Sequence, residues 1–227
     1  MSRTDGLPIG WTNNIICGDS FELVKSIPDE SVDMILCDPV YWDIQQYEFV
    51  VKTAERALVD GGNVVVQCGI EFRFEIEKIF HDSSLTPHPL ICEVFTGGNA
   101  KMWAHRSFNC WHPYVWFSKG EKRNGEWIRD LMRGGGRAKG LHEWGDSVGI
   151  FISLVERLCP ENGIVLDLFA GSGTVAAACK MLNRYWIGFE IDEETAKMAN
   201  KRVAETPMPL FVPPVEQLEF ELEGDEL

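Results

Sequence analysis

Short β-branched apolar runs alternate along this chain with longer stretches of helical periodicity, the mark of a mostly parallel sheet covered by helices on both faces. The runs fall at 14–17, 32–37, 63–68, 91–95, 114–117, 164–169 and 185–189, and the helical stretches at 21–26, 46–58, 72–80, 148–158, 174–182 and 193–203. Val32-Asp-Met-Ile-Leu-Cys37 and Ile164-Val-Leu-Asp-Leu-Phe169 are apolar on both parities, as strands buried on both sides tend to be. The rhythm predicts a three-layer α/β fold with seven strands. At 227 residues and 45% hydrophobic content, one compact domain with a sizeable core is expected. From 97 to 141, aromatics and then Gly134-Gly135-Gly136 break the rhythm, so this segment should carry the long loops that approach a substrate.

No stretch nears the ~18 apolar residues of a membrane span, and Met1-Ser-Arg-Thr-Asp-Gly6 opens no secretory signal; a cytoplasmic protein is expected. Seven cysteines stand far apart, at 17, 37, 68, 92, 110, 159 and 179, without a Cys-x-x-Cys pair, and read as reduced thiols, most of them core residues. The histidines at 81, 88, 105, 112 and 142 share no ligand spacing, so no metal site is expected. A formal charge of −14 weighs against a partner held through phosphates, which calls for Lys or Arg on one face. The charge is uneven, however. Lys119 to Lys139 holds seven basic residues against three acidic ones. Glu216, Glu219, Glu221, Glu223, Asp225 and Glu226 instead form an acidic tail after Pro207, Pro209, Pro213 and Pro214, which reads as a loosely docked extension.

Two loops carry chemistry. Phe169-Ala170-Gly171-Ser172-Gly173-Thr174 joins the run from Ile164 to a helical stretch. Its glycines let the backbone turn sharply and approach a ligand, and the helix start offers free N–H groups to an anionic group. Glu190, twenty-three residues past Asp167, closes the next run at about the spacing where a carboxylate accepts from both ribose hydroxyls of a nucleotide cofactor. The second loop, Asp38-Pro39-Val40-Tyr41, follows the run ending at Cys37. An exocyclic amine conjugated into a base ring is a poor nucleophile, and two acceptors on its hydrogens free the lone pair as an electrophile arrives. The Asp38 carboxylate and the Pro39 carbonyl can supply them, with proline biasing Asp38 toward an extended backbone. Tyr41 offers a face on which an extruded base stacks, worth ~1–3 kcal/mol. Either loop alone also fits a plain turn; each here sits between a strand pattern and a helix pattern.

In both motifs, and in their order, the chain closely resembles the β-group of DNA amino-methyltransferases. These are the adenine-N6 and cytosine-N4 enzymes dependent on S-adenosylmethionine (SAM), in which an Asp/Ser-Pro-Pro-Tyr motif precedes a Phe-x-Gly-x-Gly motif. The resemblance covers most of residues 13–204. Ile16-Cys17-Gly18-Asp19-Ser20 is similar to the family's opening, Asp60-Gly61-Gly62-Asn63-Val64 to its helix-end turn, and His112-Pro113-Tyr114-Val115-Trp116-Phe117-Ser118-Lys119-Gly120 to its late strand. His142-Glu143-Trp144 through Leu158 resembles the segment before the cofactor loop, and Gly188-Phe189-Glu190-Ile191-Asp192 closes the match. Two departures stand out: Val40 where a second proline is usual, and Gly145-Asp146-Ser147 where Glu-Lys-Pro is common.

The resemblance implies a Rossmann-like SAM-dependent methyltransferase fold, its seven-stranded sheet mostly parallel with one antiparallel strand in the edge region. Residues 1–206 would form the methyltransferase domain, with a catalytic half at 13–96, a small target-recognition insertion at about 97–141 and a cofactor half at 142–206; residues 207–227 would be the tail. It implies catalytic roles for Asp38, Pro39 and Tyr41. SAM contacts would fall to Asp19, Asp167, Phe169, Ala170, Gly171, Ser172, Gly173, Thr174, Glu190 and Asp192, with Asp19 on the cofactor adenine. The expected partner is double-stranded DNA with the target base flipped, gripped by Arg106, Arg129, Arg133, Arg137 and Lys139. An Asp-initiated motif points to adenine N6. So small an insertion implies a short target sequence, a homodimer or an accessory DNA-binding partner. Cytosine N4, an RNA base, a protein side-chain amide, and an inactive SAM-binding subunit that needs a partner all remain compatible with the same residues.

Overall fold

The computed structural model describes residues 4–94, 100–102, 106–121, 127–133 and 145–208. In chain order the elements are β1 (Asn14–Cys17), α1 (Ser20–Leu23) with a 3-10 turn over Val24–Ser26, β2 (Val32–Cys37), α2 (Ile44–Ala57), β3 (Leu58–Gln67), α3 (Arg73–His81) and β4 (Thr86–Pro87). They continue with β5 (Ile91–Val94), β6 (Ala100–Met102), β7 (Ser107–Asn109), β8 (Trp111–Ser118), β9 (Leu131–Arg133), α4 (Gly145–Leu158), β10 (Ile164–Asp167), α5 (Thr174–Met181), β11 (Tyr185–Glu190) and α6 (Glu193–Glu205). The helices start where local chemistry allows. Asp43 and Asp192 cap α2 and α6 by accepting from Gln45 N at 3.2 Å and Thr195 N at 2.8 Å. No helix among the described residues is long and apolar enough to cross a membrane.

The main sheet runs β1-β11-β10-β2-β3-β8-β5-β9, and β4 also pairs with β8. It therefore holds nine strands where the sequence predicts seven, because β4 and β9, of two and three residues, are too short to show a period. One strand is antiparallel, as expected, but β8 lies between β3 and β5 rather than at the edge. Within the segment from 97 to 141, where loops are expected, β6 and β7 form a separate hairpin and β9 adds to β5 in parallel.

Period-two alternation sorts the strands' side chains into two cores. Met34, Leu36, Val65 and Val165 pack toward Leu154, Val155, Ala177 and Ala199 of α4, α5 and α6. Ile35, Val64, Val66 and Leu166 pack on the other side with Tyr47, Val50, Ala54 and Phe80 of α2 and α3. Two buried polar side chains brace one end of the sheet: Asp33 Oδ2 of β2 accepts from Ile164 N of β10 at 2.9 Å, and Asn63 Nδ2 of β3 donates to Leu158 O at the end of α4 at 2.9 Å. From β2 the chain steps to β3, and from β10 it steps to β11 in the opposite direction. Strand order thus reverses between β2 and β10, and their C-terminal ends open the crevice where ligands sit in sheets of this kind.

Candidate active site

Asp38 follows the last residue of β2, on the parity of Met34 and Leu36. Register carries that parity across the sheet. Cys37 lies opposite Val66, so Asp38 continues toward Gln67, which faces Tyr114 on β8. Glu93 of β5 lies opposite His112 one step higher. On the other side, Asp167 ends β10 opposite Gly188, and Glu190 ends β11 opposite Cys17. The structure thus brings Asp38, Asp167 and Glu190 to one edge, and sets Gln67, Tyr114, Glu93 and His112 beside them.

The electrostatics follow from this crowding. Asp38 is reached by solvent yet sits in a crevice, and loss of water pushes its carboxyl up to about 6; His112 and a hydrogen bond from Tyr41 oppose the rise, and Glu93 adds to it. Asp167 is buried and pushed up to about 7, chiefly by burial, while its bond from Phe169 N at 3.1 Å lowers it and Asp38 and Glu190 raise it. Tyr41 accepts from Gln67 Nε2 at 2.8 Å, and its own hydroxyl is raised by burial and by Asp38. Four cysteines, 37, 68, 159 and 179, are buried, as most were expected to be.

On the cofactor side, Gly171 has φ +47 and nothing nearer than 4.0 Å where a Cβ would stand, so this backbone turn is open to a ligand. Gly173 caps α5 at φ +78, and a Cβ there would meet Ile15, Ala199 and Val203 at 3.0–3.3 Å. Arg202 of α6 holds the loop from outside, donating to Ser172 O at 3.1 Å and Ser172 Oγ at 2.8 Å. Glu190 Oε2 accepts from Gly171 N and Oε1 from Asp192 N, both at 2.9 Å, which fixes the carboxylate and leaves each oxygen a further lone pair. Asp19 spends one oxygen on Phe21 N at 2.9 Å as the cap of α1. Phe21 stacks on Phe49 at 4.0 Å, and Phe49 meets Phe169 edge-on at 6.4 Å, forming an aromatic wall beside the loop. An open glycine turn, a fixed carboxylate and an aromatic wall suit a nucleoside cofactor. Among the described residues no cluster of His, Cys, Asp and Glu could hold a metal ion.

A family described as DNA methylase, of the N6/N4 methyltransferase type, matches residues 115–201. The type II methyltransferase M2.LlaDCHI of Lactococcus lactis subsp. cremoris is 25% identical, with 83% of this chain and 88% of that protein covered. In its motifs, their order and its fold, the chain is similar to the N6/N4 DNA methylases. The type II methyltransferase M.HinfI of Haemophilus influenzae is 24% identical, covering 86% of this chain and 69% of that protein. Among solved structures, the M1.HpyAVI–SAM complex superposes with a TM-score of 0.68 at 23% identity, covering 84% of this chain and 98% of that one. The cytosine-N4-specific PvuII DNA methyltransferase does so with a TM-score of 0.67 at 17% identity, covering 85% and 90%.

Against the family pattern, Val40 has a local explanation. Its backbone N–H, which proline would lack, donates to Gln46 Oε1 at 2.9 Å, tying the loop to the first turn of α2. Val40→Pro restores the usual motif and should nevertheless lower stability by about 1 kcal/mol, the worth of one such bond, as read by thermal denaturation. Gly69 explains the placement of Tyr41: a Cβ at 69 would stand 2.9 Å from Tyr41 Cβ and 3.1 Å from Cγ. Gly69→Ala should cost about 1–3 kcal/mol of stability and raise KM for the acceptor more than for SAM, because the Tyr41 ring must move.

The basic residues divide. Arg106 is exposed at the turn of the β6–β7 hairpin, with φ +50. Arg129 precedes β9 at the N-terminal end of β5, the opposite end of the sheet from the crevice. The backbone of Arg133 pairs with Val94, on the same edge as Glu93. Arg137, Lys139 and the tail from 209 lie outside the described residues, as do the side chains of Gly145-Asp146-Ser147. Asp192 is engaged as the α6 cap, which lowers its carboxyl. Sequence reasoning missed Gln67, Glu93, Phe21 and Phe49; polar Gln67 closing Val64-Val65-Val66, and acidic Glu93 inside an apolar run, were the available signals.

Proposed function

We propose that this chain transfers a methyl group from SAM to the exocyclic amine of a base flipped out of double-stranded DNA, with adenine N6 as the target. The observation that carries the reading is the placement of Asp38 and the Phe169–Thr174 loop on adjacent strands, at the point where strand order reverses. Bound SAM supplies an electrophilic methyl group. The chain's part is to bind, orient and polarise. Asp38 and the Pro39 carbonyl accept the two amine hydrogens, and Tyr41, backed by Gly69, stacks the base. Glu190 takes the ribose hydroxyls, Asp19 turns its second oxygen to the cofactor adenine, and the Phe21, Phe49 and Phe169 wall flanks it. Asp38 acts as an acceptor only when ionised, so the rate should fall as pH drops through about 6.

Asp at the head of the catalytic motif favours adenine. Cytosine N4 is the second reading, because a cytosine-N4-specific enzyme shares the fold. With a net charge of −14, the grip on DNA falls to Arg106, Arg133, Arg137 and Lys139, aided by a second copy or an accessory partner in the cytoplasm. Incubation with methyl-labelled SAM and unmethylated genomic DNA, then nucleoside digestion and mass spectrometry, tests the reading. Labelled N6-methyladenine is expected. Labelled N4-methylcytosine would keep the mechanism and overturn the base, and no labelled nucleoside despite SAM binding would overturn DNA as the acceptor.

A further inference from the structure

Gln67 closes β3 after Val64-Val65-Val66 and is buried, although an apolar side chain would pack there without any demand for partners. A buried amide costs free energy unless its ends are bonded. Gln67 Nε2 lies 2.8 Å from the Tyr41 hydroxyl, and Gln67 Oε1 lies 2.8 Å from the Tyr114 hydroxyl. An amide has donors at one end and an acceptor at the other, so whichever way round it lies it bridges the two tyrosines. Tyr114 is fixed in turn: it is buried on β8, and its hydroxyl also lies 2.8 Å from Glu93 Oε2 of β5. The Gln67 backbone oxygen accepts from the Tyr47 hydroxyl of α2 at 3.3 Å. Gln67 is thus held from three elements and presents one end of its amide to Tyr41.

Tyr41 sits in a turn closed by Asp43 N on Val40 O at 3.0 Å. The two central residues of that turn are aromatic, and they are treated differently. Trp42 is 72% exposed, whereas Tyr41 is only half-buried and is gripped at both ends. Its Cβ end lies against Gly69, where an added Cβ would stand 2.9 Å away, and its hydroxyl end lies against Gln67. With the backbone closed in a turn, the swing of the ring about its side-chain torsions is the freedom that remains, and the contact at the hydroxyl removes it.

We propose that Gln67, pinned by Tyr114 and Glu93, is a positioning residue that fixes the Tyr41 ring before a base arrives, so that the hydroxyl of Tyr41 serves the scaffold and its ring face serves the base. The inference rests on the reading of Tyr41 as the stacking face. A ring already held in place loses no rotamer freedom when the base stacks on it, which strengthens binding without a new contact to the ligand. The effect is confined to the acceptor side. Gln67 lies on β3, whereas the glycine loop follows β10 and Glu190 ends β11, on the other side of β2.

Gln67→Met tests this, because methionine keeps the length and approximate volume of the side chain and removes both of its bonds. Tyr114 keeps Glu93, and the half-buried Tyr41 hydroxyl can turn to water, so no buried hydroxyl is orphaned. The chain has four tyrosines, at 41, 47, 114 and 185, which makes ring carbon-13 NMR of the full chain readable. In Gln67→Met the Tyr41 ring signals should shift and broaden, while those of Tyr185, at the start of β11, stay in place. In transfer assays with unmethylated genomic DNA, kcat/KM for DNA should fall roughly 3- to 10-fold, the worth of one hydrogen bond, with KM for SAM unchanged. Tyr41→Phe removes the same bond from its other end and should lose a similar factor. The double variant should lie within about twofold of either single one, because both cut one contact.

Tyr41 signals that do not move in Gln67→Met would overturn the proposal. So would losses that multiply in the double variant, as independent groups produce, or a KM for SAM that rises with that for DNA, as a merely structural Gln67 would cause. Should Gln67→Met fail to fold, Tyr41→Phe decides: unchanged kcat/KM for DNA there overturns the proposal as well. A parent that methylates no acceptor counts against the proposed function and leaves the ring signals to decide whether Gln67 holds Tyr41.

Discussion

Asp38→Ala should lower methyl transfer by roughly 10²–10³-fold while cofactor affinity stays within a few-fold, the scale seen when one preorganised electrostatic partner of a reacting group is lost. The split follows from where Asp38 stands. It follows β2 and meets Tyr41, whereas the glycine loop follows β10 and Glu190 ends β11. The variant should also be folded, for a reason that lies in the sign of the shift. Burial raises Asp38 to about 6, so its ionised form costs stability in the folded state above that pH. Removing the carboxyl removes this cost, and the variant should melt no lower than the parent at neutral pH. Single-turnover transfer from labelled SAM, with calorimetry of SAM binding beside it, reads both. Transfer at the parental rate would end the assigned role of Asp38.

The legible and illegible parts of this site divide along a physical line. β2 and β10 announce themselves as apolar runs on both parities, and Asp38 and the Phe169–Thr174 loop follow those runs directly. Local periodicity and turn chemistry therefore suffice to place the two motifs on strand ends. That the two strands are neighbours rests on one further rule, that parallel strands joined by helices share a sheet. The contacts from Tyr41 through Gln67 and Tyr114 to Glu93 are of another kind. Gln67 and Tyr114 are 47 residues apart in sequence, and Tyr114 and Glu93 are 21 apart. Their meeting depends on the register of β3, β8 and β5, and a one-residue slip would turn each side chain to the other face. Short β9 and β4 are invisible for a simpler reason, since two or three residues carry no period. Gln46 is illegible until the Val40 N–H is seen to need an acceptor.

Glu190→Ala should show the opposite split from Asp38→Ala, weakening SAM binding by roughly 30- to 1,000-fold and changing kcat at saturating cofactor far less. Two contributions act together. The carboxylate fixes the cofactor loop by accepting from Gly171 N and Asp192 N, both at 2.9 Å. Its remaining lone pairs are the proposed acceptors for the ribose hydroxyls. Hydrogen bonds to a charged group are worth about 1.5–3 kcal/mol each, so losing the ribose contacts together with some loop order amounts to roughly 2–4 kcal/mol. At about 1.4 kcal/mol per tenfold, that yields the stated range. The fold itself should survive, because Gly171 is only half-buried and water can replace Glu190 on its N–H. Glu190→Gln separates the two contributions. The amide keeps one neutral acceptor for Gly171 N and so braces the loop, but it sets a donor against Asp192 N and loses the charge that binds the ribose. Calorimetry should place it between the parent and Glu190→Ala. If Glu190→Ala binds SAM as the parent does, Glu190 is a loop brace alone, and the ribose must be held by groups elsewhere on the sheet edge.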